Sequence, residues 1–216
     1  MKFKSTFVFA IYFAQFLWYD LAMFKQLKPI NPIYLKQGFA NELFLDDELV
    51  QTVDGKIIDE GDTFVNIKYT SENQISKGLS NLFQHGFKFY GDNVKSIEGV
   101  LQSLKHNSMQ RQVEIRQLWG MDAINSRETA PVDWRIKQQL VFKNATREDI
   151  MCRHGEQYQE FLNALFLSLN QNPLFKEVLK CTGKKTLLHT AGLTDQTQTV
   201  LTRHEFEGRI NALKDL

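Results

Sequence analysis

Three observations predict a helix-rich α+β fold, a single domain with a few short strands. Apolar residues recur at helical spacing from Tyr158 to Leu169, and runs rich in strand formers occur at Phe64–Tyr69 and Phe87–Tyr90. Helix start and stop residues punctuate the C-terminal half. At 216 residues, 43% hydrophobic and 24% charged, the chain has the length and composition to bury a sizeable core. The expected organisation is an apolar N-terminal extension or leader over residues 1–22, a lead-in over 23–63 and a folded domain over 64–216.

Within the first 22 residues, Lys2 and Lys4 precede an apolar, aromatic-rich run from Phe7 to Trp18, interrupted by Gln15. The run resembles the apolar region of a signal peptide yet is short for a bilayer span. It reads either as a leader or weak anchor, or as a packed or spurious extension with Met23 as an alternative start; the second reading is preferred. Phe24–Asp62 carries Pro29, Pro32, Gly38, the acidic Asp46-Asp47-Glu48 and turn signals at Asp54-Gly55 and Glu60-Gly61, so irregular structure is expected there.

The alternation of Phe64–Tyr69 predicts a strand, followed by a polar loop and then a second short strand at Phe87–Tyr90. Helices are expected from Ser96 to Lys105 and from Met109 to Leu118, the latter stopped near Gly120. Arg127–Asp133, with Pro131, reads as a loop, and Gln139–Phe142 as a strand. Tyr158, Leu162, Leu165, Phe166 and Leu169 form the inner face of an amphipathic helix. Asn172-Pro173 opens another, which runs to Cys181 and ends at Gly183. Thr186–Thr190 is extended, and Thr202-Arg-His-Glu205 is a capping-box pattern that opens a terminal helix.

A formal net charge of +1 without a block of Lys and Arg argues against sequence-independent capture of DNA or RNA by a basic field. Cys152 and Cys181 are too few for a disulfide framework and are not spaced as metal ligands. The five histidines lack metal-site spacing, and there is no Gly-rich dinucleotide or phosphate loop, so no metal or built-in cofactor is expected. Reduced cysteines indicate a cytoplasmic protein, with no stable membrane partner.

The most informative stretch is Ser96-Ile-Glu-Gly-Val-Leu-Gln-Ser-Leu-Lys105. At roughly 100° per residue, Glu98, Gln102 and Lys105 share one stripe of the helix, while Ile97, Val100, Leu101 and Leu104 form an anchoring stripe. With Ser96 as N-cap, Glu98 falls in the first turn, where free N–H groups favour an anion. Read alone, this stripe is an ordinary solvated face.

Flanking blocks change that reading. Lys77-Gly-Leu-Ser-Asn-Leu82, the Ser-x-Glu-x-x-x-Gln-x-x-Lys helix, Gly120-x-x-Ala123, Arg153-His154-x-x-x-Tyr158-Gln159, Asn172-Pro173 to Thr182-Gly183, His189-x-x-Gly192-x-x-Asp195 and Thr199-Val-Leu-Thr-x-x-Glu-Phe206 occur in order. From about Phe64 onward the chain resembles the NADAR family, the YbiA-like domain associated with NAD and ADP-ribose metabolism, in a phage-like branch with Gly99-Val100 after the Glu.

The resemblance implies an N-glycosidase that hydrolyses the bond between ADP-ribose and guanine in modified DNA or RNA, as a repair or antitoxin activity. The alternatives are cleavage of phosphorylated ribosylamino intermediates of riboflavin synthesis, and a non-catalytic ADP-ribose-binding module. Lys105 is the candidate nucleophile, trapping a ring-opened ribose as a Schiff base once burial or a neighbouring cation frees its lone pair. Glu98 and Asp195 are the candidate acid/base or ribose-holding groups, with Glu98 about 10 Å along the helix axis from Lys105. Ser80, Asn81, Gln102, Arg153, His154 and His189 are candidate substrate-binding residues, with Arg153 and His154 suited to a pyrophosphate. For each of these a bland role also exists: a turn for Ser80, Asn81 and Asp195, a surface charge pair for Arg153 and His154, a core imidazole for His189. Trp119 and Trp134 could stack on a base or pack in the core.

Overall fold

The computed structural model describes residues 52–53, 56–57, 59–131 and 133–216, all within a unit spanning Asp46–Leu216. The expectations for residues 1–22 and for most of the lead-in, including the Asp54-Gly55 turn signal, lie outside the described residues. A short antiparallel pair, β1 (Thr52–Val53) and β2 (Lys56–Ile57), precedes β3 (Phe64–Asn66). Strand β3 forms where alternation predicts it, but all three of its residues are buried. Its partner comes from far along the chain: β8 (Thr186–Leu188) pairs with it in parallel, Val65 opposite Leu187.

The polar stretch after β3 is not wholly loop. Asn73 accepts the Ser76 N–H and caps a one-turn helix, α1 (Gln74–Gly78). Strands β4 (Phe87–Phe89) and β5 (Asp92–Val94) make a tight hairpin whose central residues, Tyr90 and Gly91, both have positive φ. Tyr90 thus leaves the expected strand to form a two-residue turn suited to strand twist.

Helix α2 (Ile97–Ser103) and helix α3 (Met109–Arg116) follow, as the spacing predicts. They approach so closely that a Cβ on Gly99 would sit 2.8 Å from the Leu118 carbonyl oxygen and 2.9 Å from that of Ile115. Gly99→Ala must push two backbone segments apart and is expected to cost about 1–3 kcal/mol. Urea unfolding checks this; an unchanged midpoint would mean that the helices separate freely.

Gly120 does not merely stop a helix. With φ +59 it turns the chain into a further one, α4 (Gly120–Asn125), and a 3-10 turn over Ser126–Thr129 follows. The loop expected up to Asp133 ends early, because Asp133 begins α5 (Asp133–Lys137), anchored by buried Trp134. Strand β6 (Gln139–Lys143) then pairs with an unforeseen β7 (Glu148–Cys152) in a hairpin.

Helix α6 (Glu156–Leu169) is the centre of the core. Tyr158, Phe161, Leu162, Leu165, Phe166 and Leu169 are all buried, and Phe161 meets Phe89 and Phe142 in an aromatic cluster. The cluster joins the β4–β5 and β6–β7 hairpins across one helix. Helix α7 (Pro173–Cys181) starts at the Asn172 cap and ends before Gly183 at φ +52, as expected for a residue just past a helix terminus. The Thr202–Glu205 capping box forms and opens α8 (Arg203–Ala212). The fold is α+β, with eight α-helices and four two-stranded sheets among the described residues.

Candidate functional site

Helix α2 is fixed at its start by Ser96, whose hydroxyl accepts the Gly99 N–H and donates to the Leu118 carbonyl, both at 2.9 Å. Its apolar stripe is fully buried, so the opposite stripe is aimed by the core rather than left to solvent. The turn before β4 meets this stripe at two points. The Glu98 N–H donates to the Asn81 carbonyl at 2.9 Å, and the Asn81 amide donates to Glu98 Oε2 at 2.7 Å.

Glu98, Gln102 and Lys105 form one hydrogen-bonded chain. Gln102 Nε2 donates to Glu98 Oε1 at 2.5 Å, and Lys105 Nζ donates to Gln102 Oε1 at 2.6 Å. Gln102 is thereby a bridge whose amide joins an acid and an amine that no direct ion pair connects among the described residues. The stripe is not a solvated face: Lys105 is 8% exposed and its ammonium stands 5.2 Å from the centroid of the Trp134 ring.

Burial lowers the Lys105 pKa from 10.5 to about 8, against the opposing pull of Glu98 and with help from the positive charges of Arg135 and Arg127. An appreciable fraction of a buried amine is then unprotonated near neutral pH, as nucleophilic attack requires. A shallow recess at the Lys105 side is lined by Asn107, Asp133, Trp134, Lys137 and Gln139, and includes neither Glu98 nor Gln102.

The structure brings Asn81, Glu98, Gln102 and Lys105 together. Ser80 is buried one residue away, and its hydroxyl accepts the Leu82 N–H within its own turn. Arg153 is wholly buried: two guanidinium nitrogens bind the Glu205 carboxylate at 2.9 and 2.6 Å, and Nε binds the Thr199 carbonyl at 2.8 Å. The expected pyrophosphate role for Arg153 is corrected on that ground, since its donors are committed inside the fold. His154 is exposed and pairs with Gln196, whereas His189 is half-buried and structurally engaged, its Nδ1 on the Ile67 carbonyl at 2.8 Å and its ring against Phe206.

Asp195 is exposed and accepts the Thr197 N–H and hydroxyl, both at 2.8 Å, which makes a local turn. Hydrogen bonds from Thr197, with some help from His154, hold its carboxyl below the usual range. No hydrogen bond or ion pair among the described residues joins Asp195 to Glu98, Gln102 or Lys105. Asp195→Ala is therefore expected to leave the pH profile of Lys105 acylation unchanged, as read by mass spectrometry of labelled peptides. A displaced profile would put Asp195 within electrostatic reach of the amine.

Sequence reasoning missed Arg135, Arg127 and Gln138. Gln138 holds φ +51 at the end of α5, donates to the Thr197 carbonyl at 3.3 Å, and accepts the Arg153 N–H on its own carbonyl at 2.8 Å. It ties the Asp195 loop to the helix that carries Trp134. Nothing in the spacing of an unpredicted 3-10 turn, which carries Arg127, and a short helix, which carries Arg135 and leads to Gln138, signals these residues.

The family model that matches this chain describes the bacteriophage protein GP30.3 and covers residues 73–215, so the chain belongs to that family. The match overturns the NADAR resemblance, for which no family match exists. Several blocks that carried the resemblance have structural work here: Arg153 and Glu205 pair inside the fold, Asn172-Pro173 caps α7, and Asp195 makes a turn. No curated protein and no solved structure matches the chain. Among the described residues no group of His, Cys, Asp and Glu is placed to hold a metal, and no helix is long and apolar enough to cross a membrane.

Proposed function

We propose that this member of the GP30.3 family is an N-glycosidase acting on a ribosyl group, with Lys105 as its amine nucleophile. The observation that carries the reading is the buried Lys105 ammonium, bridged by Gln102 to Glu98 and without a direct carboxylate partner among the described residues. A lysine in a salt bridge is fixed as a cation, whereas this one is bonded to a neutral amide in a site that disfavours its charge.

In this mechanism the neutral amine adds to C1 of the ribose and the C1–N bond to the base breaks as the base nitrogen takes one amine proton; the C1–O4′ bond then opens as O4′ takes the other. The resulting imine between Lys105 and the open-chain sugar is hydrolysed by water, returning the amine and releasing the sugar as its aldehyde. Both Glu98 oxygens already accept amide hydrogens, and their remaining lone pairs suit a ribose hydroxyl. Asn81 and Gln102 act by holding that carboxylate in place.

Hydrolysis of the ADP-ribose to guanine bond is the first activity to test, and a phosphorylated ribosylamino pyrimidine the second. Release of ADP-ribose from an ADP-ribosylated guanine oligonucleotide alone supports the first substrate. Turnover of neither, with ADP-ribose retained on the protein, supports a non-catalytic binding module, a reading favoured by the recess that excludes Glu98. We place the activity in the cytoplasm, a reading supported by Cys152 and Cys181, which are both free thiols.

A further inference from the structure

The charges around Lys105 do not balance. Glu98 is the acid that acts on it, at one remove through Gln102, while Arg135 and Arg127 act on it as like charges. Both arginines are exposed. The Arg135 guanidinium lies 4.8 Å from the centroid of the same Trp134 ring that Lys105 approaches, so two cations flank one indole. Among the described residues its guanidinium makes one hydrogen bond, a long one of 3.5 Å to the Gln198 carbonyl. Among the described residues no hydrogen bond or ion pair engages the Arg127 side chain. Asp133, on the same helix as Arg135, is taken up by Lys137 at 3.4 Å.

Exposed guanidinium groups with spare donors, set beside an amine, favour an anion with several acceptor oxygens. We infer that Arg135, with Arg127 adding to the positive field, holds the phosphate of a 5′-phosphorylated riboside whose C1 meets Lys105. Lys105 and Arg135 are at most about 10 Å apart across the indole, a span that a five-carbon sugar phosphate bridges. The assignment rests on the reading of Lys105 as the amine that meets C1. It moves the anion-holding role from the buried Arg153 to Arg135, which solvent reaches.

The test treats the full chain with D-ribose 5-phosphate or D-ribose in the presence of cyanoborohydride. Lys105 condenses with the sugar aldehyde and loses water, hydride reduces the imine to a secondary amine, and peptide mass spectrometry locates it. The phosphorylated sugar is expected to label Lys105 about tenfold faster or more, an advantage of the size one charge-assisted contact provides. In the Arg127→Ala/Arg135→Ala variant that ratio falls to about one. The ratio is the readout, because removing two cations also changes the protonation of the amine.

A ratio near one in the unaltered protein, or an unchanged ratio in the double variant, overturns the assignment. A 5′-phosphorylated oligoribonucleotide that competes better than ribose 5-phosphate assigns the phosphate to a nucleic-acid end, and weaker competition assigns it to a free sugar phosphate; both support the site. Should neither sugar label Lys105, the Schiff-base reading fails and inorganic pyrophosphate decides the anion site separately. An upward shift of the pH midpoint of Lys105 acetylation by pyrophosphate, absent in the double variant, supports the site. No shift overturns it.

Discussion

Arg153→Leu is expected to destabilise the domain by about 3–5 kcal/mol, the cost of leaving one partner of a buried ion pair behind. Arg153 is fully buried, and its fork on Glu205 joins the start of α6 to the capping box of α8. The same carboxylate accepts Gln159 at 2.8 Å and the Thr202 N–H at 2.8 Å, so the loss would reach three elements. Burial pushes the Glu205 carboxyl up, but the Arg153 hydrogen bonds and charge, with Thr202 and Gln159, outweigh it and hold the group below its ordinary value of 4.5. A carboxyl lowered in the folded state lends stability above 4.5 that fades as pH falls through its folded value. Unfolding by urea across pH 2–7 should show that acid loss in the unaltered protein and a weaker one in Arg153→Leu. A double-mutant cycle with Glu205→Leu separates the pair from the packing; additive effects would mean that the pair is not coupled.

Much of the fold could be read from local patterns because local physics makes those elements. The α6 stripe, the Asn172 and Thr202 caps and the Gly183 stop depend on neighbours three or four residues away, and each is where the sequence predicts it. Elements held by distant contacts were harder to read. Helix α5 depends on Trp134 packing beneath Lys105, and β7 depends on its pairing with β6, with Met151 as its one buried residue. The candidate site divides in the same way. The i, i+4, i+7 relation of Glu98, Gln102 and Lys105 is helix geometry and was visible; Gln102 as the bridge between the other two, and the burial of Lys105, needed the packed neighbours. Arg153 shows the converse error, since a guanidinium beside a histidine looks available in sequence while its partner Glu205 lies 52 residues away.

On the proposed mechanism, Lys105→Met is expected to abolish glycosidase turnover, by roughly 10³-fold or more as for loss of a nucleophile, while making the protein more stable. The two effects have one cause. The folded site lowers the amine from 10.5 to about 8, so keeping it protonated costs on the order of 3 kcal/mol below pH 8. Between about 8 and 10.5 the unfolded chain binds the extra proton, stability rises with pH, and above that window the cost is gone. Methionine fills the stem volume without the charge, so its gain in urea unfolding should be greatest below pH 8 and shrink through the window. If the proposed mechanism holds, activity of the unaltered protein should rise with pH through about 8, as the amine is freed. A Lys105→Met protein that is stable but fully active would remove the Schiff-base mechanism. One that is inactive and less stable at every pH would mean that the Lys105–Gln102 bond holds the helix rather than poising an amine. Only loss of activity joined to a pH-dependent gain in stability fits a lysine held, at a cost to the fold, for chemistry.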